Sequence, residues 1–132
     1  MLKTEVVKLL DAVTATTTSN NHYVGDCERI AFLVTRANHS SGNTVFSFKG
    51  GLSSDQSTTA PTMVTLSLIA TNVANTNSQT ILRTTGATLS SNTSSLLWLN
   101  LKEFPVEFVQ CTATETTDGT HSCLMFKVKK GE

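Results

Sequence analysis

Charge is what this sequence has least of. Asp, Glu, Lys and Arg make up 15% of its 132 residues, ten acidic against ten basic, for a formal net charge of zero. Ordinary domains carry about 25%. A protein that grips nucleic acid by neutralising phosphates needs a basic excess, and none exists here. The basic end at Lys127, Lys129 and Lys130 reads as a solvated strand end that discourages edge pairing. Long apolar runs are missing as well: nothing approaches the ~18 residues of a membrane-spanning helix. The opening MLKTEVVKLLDAVTA is too acidic, and its apolar part too short, for a secretory signal. The expectation is a soluble chain made in a cytoplasm, with no nucleic-acid partner and no membrane partner.

Recognisable catalytic and metal-binding patterns are scarce. KGGLSSD lacks the Lys-Ser/Thr ending and the following helix of a phosphate loop. The three histidines, His22, His39 and His121, have no acid near them in sequence apart from Asp118, three residues before His121. That pair flanks a turn, and a nucleophile needs both a base and an orienting group in reach. Glu103 and Glu107, four apart beside Pro105, read as an exposed rim. The chain is expected not to be an enzyme, with no catalytic residue, no cofactor and no metal.

What fills the space is Thr, Ser and Asn, about a third of the chain. Thr suits a pleated, half-buried surface, and Ser and Asn suit turns. The apolar pattern alternates with period two nearly throughout. TEVVKLL (Thr4 to Leu10) is a first strand or arm, with a single helical turn as the alternative. CERIAFLVTRA carries Ile30, Phe32 and Val34 on one face and Ala31, Leu33 and Thr35 on the other, so it is a central strand. TVFSFKG turns Phe46 and Phe48 inward. MVTLSLIAT puts Val64, Leu66 and Leu68 on one face. TILRTTGATL is an edge strand broken at Gly86, and SSLLWLNL carries Trp98 as a core residue. Phe32, Phe46, Phe48, Phe108 and Phe126 also read as core. With turn signals every ~8–12 residues, the expectation is an all-β chain, a single antiparallel β-sandwich of jelly-roll or immunoglobulin-like type with about seven or eight strands. Residues 1–25 form an N-terminal strand or arm, and 26–132 form the sandwich, one domain overall.

The last two strands, FPVEFVQCTATE and HSCLMFKVKK, flank Asp118-Gly119, a strong signal for a two-residue hairpin turn. That register sets Cys123 opposite Thr114 and Cys111 opposite Phe126, with the two cysteines on opposite faces of one sheet. They can then neither form a disulfide with each other nor share a metal. Cys27 remains free to pair with either. An odd cysteine count without a secretory signal fits buried free thiols.

The order of elements carries a resemblance. ERIAFLVTR, then SGNTVFSFKGGLSSD, then LLWLNLKEFPVEFVQCTATETTDGTHSCLMFKV resembles the small β-sandwich virion proteins of tailed bacteriophages. Gly42 to Asp55 stand for that group's "G-x-V-x-F-x-G-S-x-D-G-x-x-W" segment, and Trp98 to Thr120 for its Trp-containing strand and closing hairpin. Leu52-Ser53-Ser54-Asp55-Gln56 departs from the pattern, lacking its Gly and Trp. The resemblance implies a non-enzymatic structural protein of the virion, a capsid decoration or cement protein that binds and stabilises the shell. Its partners would be the major capsid protein or another virion protein, in a homo-oligomer on the particle. It would be made in the host cytoplasm and reside in the virion. The N-terminal arm and the loops at the sandwich ends would make the contacts. The alternatives are a tail or baseplate component, or a receptor- or carbohydrate-binding module using Trp98, Tyr23 and the Asn-rich loops.

Overall fold

The computed structural model describes residues 3–52, 62–70 and 83–131. All regular structure among them is β, in twelve strand segments: β1 (Thr4–Val13), β2 (Thr17–Thr18), β3 (His22–Tyr23), β4 (Cys27–Ala37), β5 (Thr44–Leu52), β6 (Thr62–Thr65), β7 (Leu68–Ala70), β8 (Arg83–Thr84), β9 (Gly86–Leu89), β10 (Thr93–Asn100), β11 (Phe108–Glu115) and β12 (Thr120–Lys129). The first sheet runs β1-β12-β4-β10-β7-β8. The second runs β2-β11-β5-β6, with β3 extending β2 along β11 and β9 flanking β5 beside β6. All pairings are antiparallel. The sandwich expected from composition and alternation is present.

With β2 and β3 taken as one interrupted strand, β1-β12-β4-β10 packs against β2/β3-β11-β5-β9. That is the jelly-roll order, two Greek keys wound into two sheets. Nearly every connection therefore crosses from one sheet to the other. Only β2–β3, β5–β6 and β7–β8 stay within a sheet.

The strong strand of the sequence, β4, is central as expected, paired along its length with β12 and β10. Its inward side chains Ile30, Phe32 and Val34 are fully buried. Phe46 and Phe48 face them from β5, and the Phe32 and Phe48 rings lie 4.4 Å apart, tilted by 33°. Leu97, Leu99, Val109 and Met125 complete the middle of the core. Burying side chains of this size contributes roughly 1.5–3 kcal/mol each.

Several local expectations are corrected. MVTLSLIAT is not one strand. It divides into β6 in the second sheet and β7 in the first, so Leu66 and Leu68 are buried while Val64 is 58% exposed. TILRTTGATL breaks at Thr85, one residue before the expected Gly86, and its halves join different sheets, β8 and β9. Gly86 is needed there, because a Cβ would meet the Phe46 carbonyl oxygen at 1.9 Å. Residues 80–82 lie outside the described part, as do Ser53 to Asp55 of KGGLSSD.

The closing hairpin does not form. β11 pairs with β5, and β12 pairs with β1 and β4 in the other sheet. A type I′ turn needs positive φ at both central residues. Gly119 has it at 121°, but Asp118 does not. The Asp118 carboxylate instead caps the β4–β5 loop, which turns the segment into an arch between sheets.

β1 pairs with β12 of its own chain from Thr4 opposite Val128 to Val13 opposite His121, through two bulges. At Ala12 the backbone takes a φ of 52°, its N–H donates to Ser122 Oγ at 3.0 Å, and the chain crosses to β2.

Candidate functional site

Polar side chains collect at the two ends of the sandwich. Arg36, at the end of β4, organises one of them. The residue is 1% exposed. Nη1 donates to the carbonyls of Gly42 (2.9 Å) and Leu89 (3.3 Å), and Nη2 to those of Ser41 (2.8 Å) and Asp118 (2.9 Å). Three segments, the β4–β5 loop, the end of β9 and the β11–β12 arch, are thus tied to one cation. Asp118 accepts from the Ser40 hydroxyl and from the Ser40 N–H at 2.9 Å. Those bonds, with a smaller share from Arg36, hold its carboxyl below the usual range.

Beneath the arch lies an unforeseen row. His121 Nδ1 is 2.9 Å from Thr44 Oγ1, and its Nε2 is 3.6 Å from Glu115 Oε1. The structure therefore pairs His121 with Glu115 rather than with Asp118. Carboxylate, imidazole and hydroxyl stand in the order of a nucleophilic triad. Thr44 and His121 are nevertheless fully buried, each with 0% exposure, so a substrate has no approach to them. The row ties β5, β11 and β12 together. A signal did exist, because Glu115 and His121 flank the DG dipeptide within three residues of Asp118, but only the sheet-crossing arch makes them neighbours.

The opposite end gathers Lys127, Lys129, Glu5, Asp26 and His22. Lys127, expected to be solvated at a strand end, is only 5% exposed. Its Nζ reaches the Tyr23 carbonyl at 3.2 Å, His22 Nε2 at 3.4 Å and Glu5 at 3.8 Å. β12 is an interior strand, so its alternate residues point into the sandwich, and a long side chain there can extend its head towards the sandwich end. Lys129 bridges Glu5 (3.2 Å) and Asp26 (3.3 Å). The Lys129 hydrogen bond, then the two lysine charges, lower the Glu5 carboxyl. Burial, then the Lys127 charge, lower His22. Asp26 also lies low: burial opposes this, but hydrogen bonds from the Cys27 thiol and Lys129 outweigh it.

All three cysteines are buried free thiols. Cys111 and Cys123 are not on opposite faces of one sheet. They face inward from opposing sheets, and the Cys111 thiol is raised first by its contact with Cys123 and then by burial. Burial, then the hydrogen bond and charge of Asp26, push Cys27 up to about 11. Among the described residues no three His, Cys, Asp or Glu side chains converge as a metal site.

Two open grooves mark the flanks. One, of about 430 Å³, runs along β9 and β10 and is lined by Thr84, Thr88, Ser90, Ser91, Thr93 and Ser94 among others. The other, of about 300 Å³, is apolar and lined chiefly by Val64, Leu66, Phe104, Pro105 and Val106. Among the described residues neither is lined by a histidine or a carboxylate. Glu103, near the second, pairs with Arg83 at 2.6 Å, and Arg83 lies over the Phe104 ring. Glu107 donates its N–H to the Gly51 carbonyl.

The outer faces of the two sheets differ in kind. Trp98 and Phe126, expected in the core, lie on the outside of the first sheet, because the inward positions of β10 and β12 are taken by Leu97, Leu99, Cys123 and Met125. The cross-strand register lines up Val6, Phe126, Ala31, Trp98 and Ile69 in one row, with Lys8, Leu124, Leu33 and Leu96 in the next. The indole N–H of Trp98 is buried and finds no acceptor among the described residues. The second sheet turns out Thr112, Thr114, Ser47 and Thr88, with Val45 the large apolar exception.

No known family's sequence profile matches the chain, and no curated protein sequence is significantly similar to it. In three dimensions it is similar to the crystal structure of SPBc2 prophage-derived protein YomS, with a TM-score of 0.69 and 12% identity over 98% of this chain and 96% of that one. At that identity the likeness defines the fold.

Proposed function

We propose that the chain is a non-enzymatic structural component of a tailed-phage particle, a capsid decoration or cement protein that binds and stabilises the shell. The observation that carries the reading is the fold shared, end to end, with a prophage-derived protein. It joins the resemblance drawn from the strand and turn pattern, which arose from the sequence alone. The polar clusters support it too, since each is occupied in tying strands together. The partner is then the major capsid protein or another virion protein, met in many copies, so that a modest contact is multiplied by avidity.

A tail or baseplate location is the second reading, and copy number separates the two. Mass spectrometry of density-purified particles should find the chain at a number on the order of hundreds, which only the shell lattice offers. A few to a few dozen copies would move it to the tail. Absence from particles would overturn both and favour a receptor- or carbohydrate-binding module, for which the hydroxyl-lined groove along β9 and β10 is the place to look.

A further inference from the structure

The row Val6–Phe126–Ala31–Trp98–Ile69 crosses five adjacent strands and contains no polar side chain. Val6 is 56% exposed and Leu96, in the next row, 38%. Cations stand at the margins, and Arg83, which continues the row opposite Ile69 on β8, is matched by Glu103 at 2.6 Å. Lys8 pairs with Asp11 at 3.7 Å, but Arg29, exposed between Val128 and Asn100, has no carboxylate partner among the described residues. Among the described residues the outer face of the second sheet has no comparable apolar row.

We propose that this face of the first sheet is the attachment surface, and that its occupant is an apolar patch rimmed by a carboxylate and repeated across the shell. The inference rests on the decoration reading. Two observations select the occupant. The first is charge: a face packed on its own two-fold copy must be self-complementary, and this one offers Arg29 with no unpaired acid beside it among the described residues. A different protein must supply the carboxylate. The second is area. Five strands about 4.8 Å apart make the row about 20 Å long, and two rows give a patch on the order of 300 Å². A stable isolated pair uses about 800 Å² per partner. A patch this small holds well only where the partner repeats and many copies bind together.

The test adds purified chain to shells lacking it and counts retained copies by mass spectrometry. With Val6→Lys and Leu96→Lys combined, retention should fall at least about tenfold, with circular dichroism and melting temperature close to wild type. Arg29→Glu should lose several-fold, and Arg29→Lys should recover most of it. Val45→Lys, on the other sheet, should bind as wild type. Where the lysine variants fail to fold, Val6→Thr and Leu96→Gln replace them and should weaken retention in the same direction. Wild-type retention by the folded double variant would overturn the proposal while leaving the decoration reading intact. So would a chain that sediments as a dimer dispersed by Leu96→Lys, since the face would then meet its own copy. Wild-type chain that never binds shells would overturn both.

Discussion

Arg36 donates to four carbonyls drawn from three segments, and among the described residues none of those carbonyls is offered another side-chain cation. Removing it leaves the buried Leu89 carbonyl and the part-buried carbonyls of Ser41, Gly42 and Asp118 without their shared donor. Arg36→Met should therefore cost about 1–3 kcal/mol, read as a lower urea midpoint. Arg36→Lys should recover only part, because an ammonium cannot reproduce the planar fork. The thiols make a second test at this scale. With Cys27 raised to about 11 and Cys111 raised by its thiol neighbour and by burial, neither of these two is a thiolate at neutral pH. A chromogenic disulfide reagent should titrate no thiol quickly in the folded protein and three in denaturant. Alternation in the sequence did separate the two sides of each strand, for Ile30, Phe32 and Val34 and for His121, Cys123 and Met125. It did not say which apolar side faced in. Phe126 and Trp98 are larger than Met125 and Leu97, yet they lie outside, because the inner side is set by where the second sheet packs.

At the scale of elements, the β1–β12 seam is where acid should act first. His22 lies below its ordinary value of 6.5, so the folded chain resists a proton that the unfolded chain accepts. The stabilisation is full above that value and declines as pH falls through the lower folded one. Glu5 and Asp26 are also depressed, so their contributions are present above the ordinary carboxylate values and are lost at lower pH. Amide-exchange protection across β1 should fall in two stages, the first below about pH 6.5 and the second in the carboxylate range, while β4 stays protected. Equal protection of β1 at neutral and acid pH would contradict this. Elements with strong internal pattern, β4 and β5 above all, were legible in the sequence. The arch at Asp118-Gly119 was not, because a local turn signal was outcompeted by Arg36, Ser40 and Ser41 binding the same segment from 77 or more residues away. For the same reason Glu115, His121 and Thr44 could not be joined from sequence: a register must be known before a buried row can be.

Over the whole molecule, adjacency in space and adjacency in sequence almost never coincide. Thr4 faces Val128, and Phe108 faces Gly51. Closing such loops before any contact rewards them makes folding slow, on the scale of milliseconds to seconds, and leaves no contiguous stretch that forms a sheet by itself. Equilibrium unfolding should accordingly be a single transition by tryptophan fluorescence and circular dichroism alike. Removing residues 1–18 should abolish that transition rather than release a folded remainder, since the deletion takes Leu10 from the core and bares the edge of β12. A cooperative melt from the shortened chain would show the sandwich to be self-sufficient without β1 and β2.

The seam also decides how the molecule can be tethered. The Lys129 N–H donates to the Lys3 carbonyl at 2.8 Å, so the two ends of the described chain leave side by side from the Lys127 end. Anything fused to either end, a fluorescent reporter or a peptide epitope, emerges at the same pole and well away from Arg36. A short linker of a few residues could join them into a closed ring, with new termini cut elsewhere, and the β1–β12 pairing would be kept.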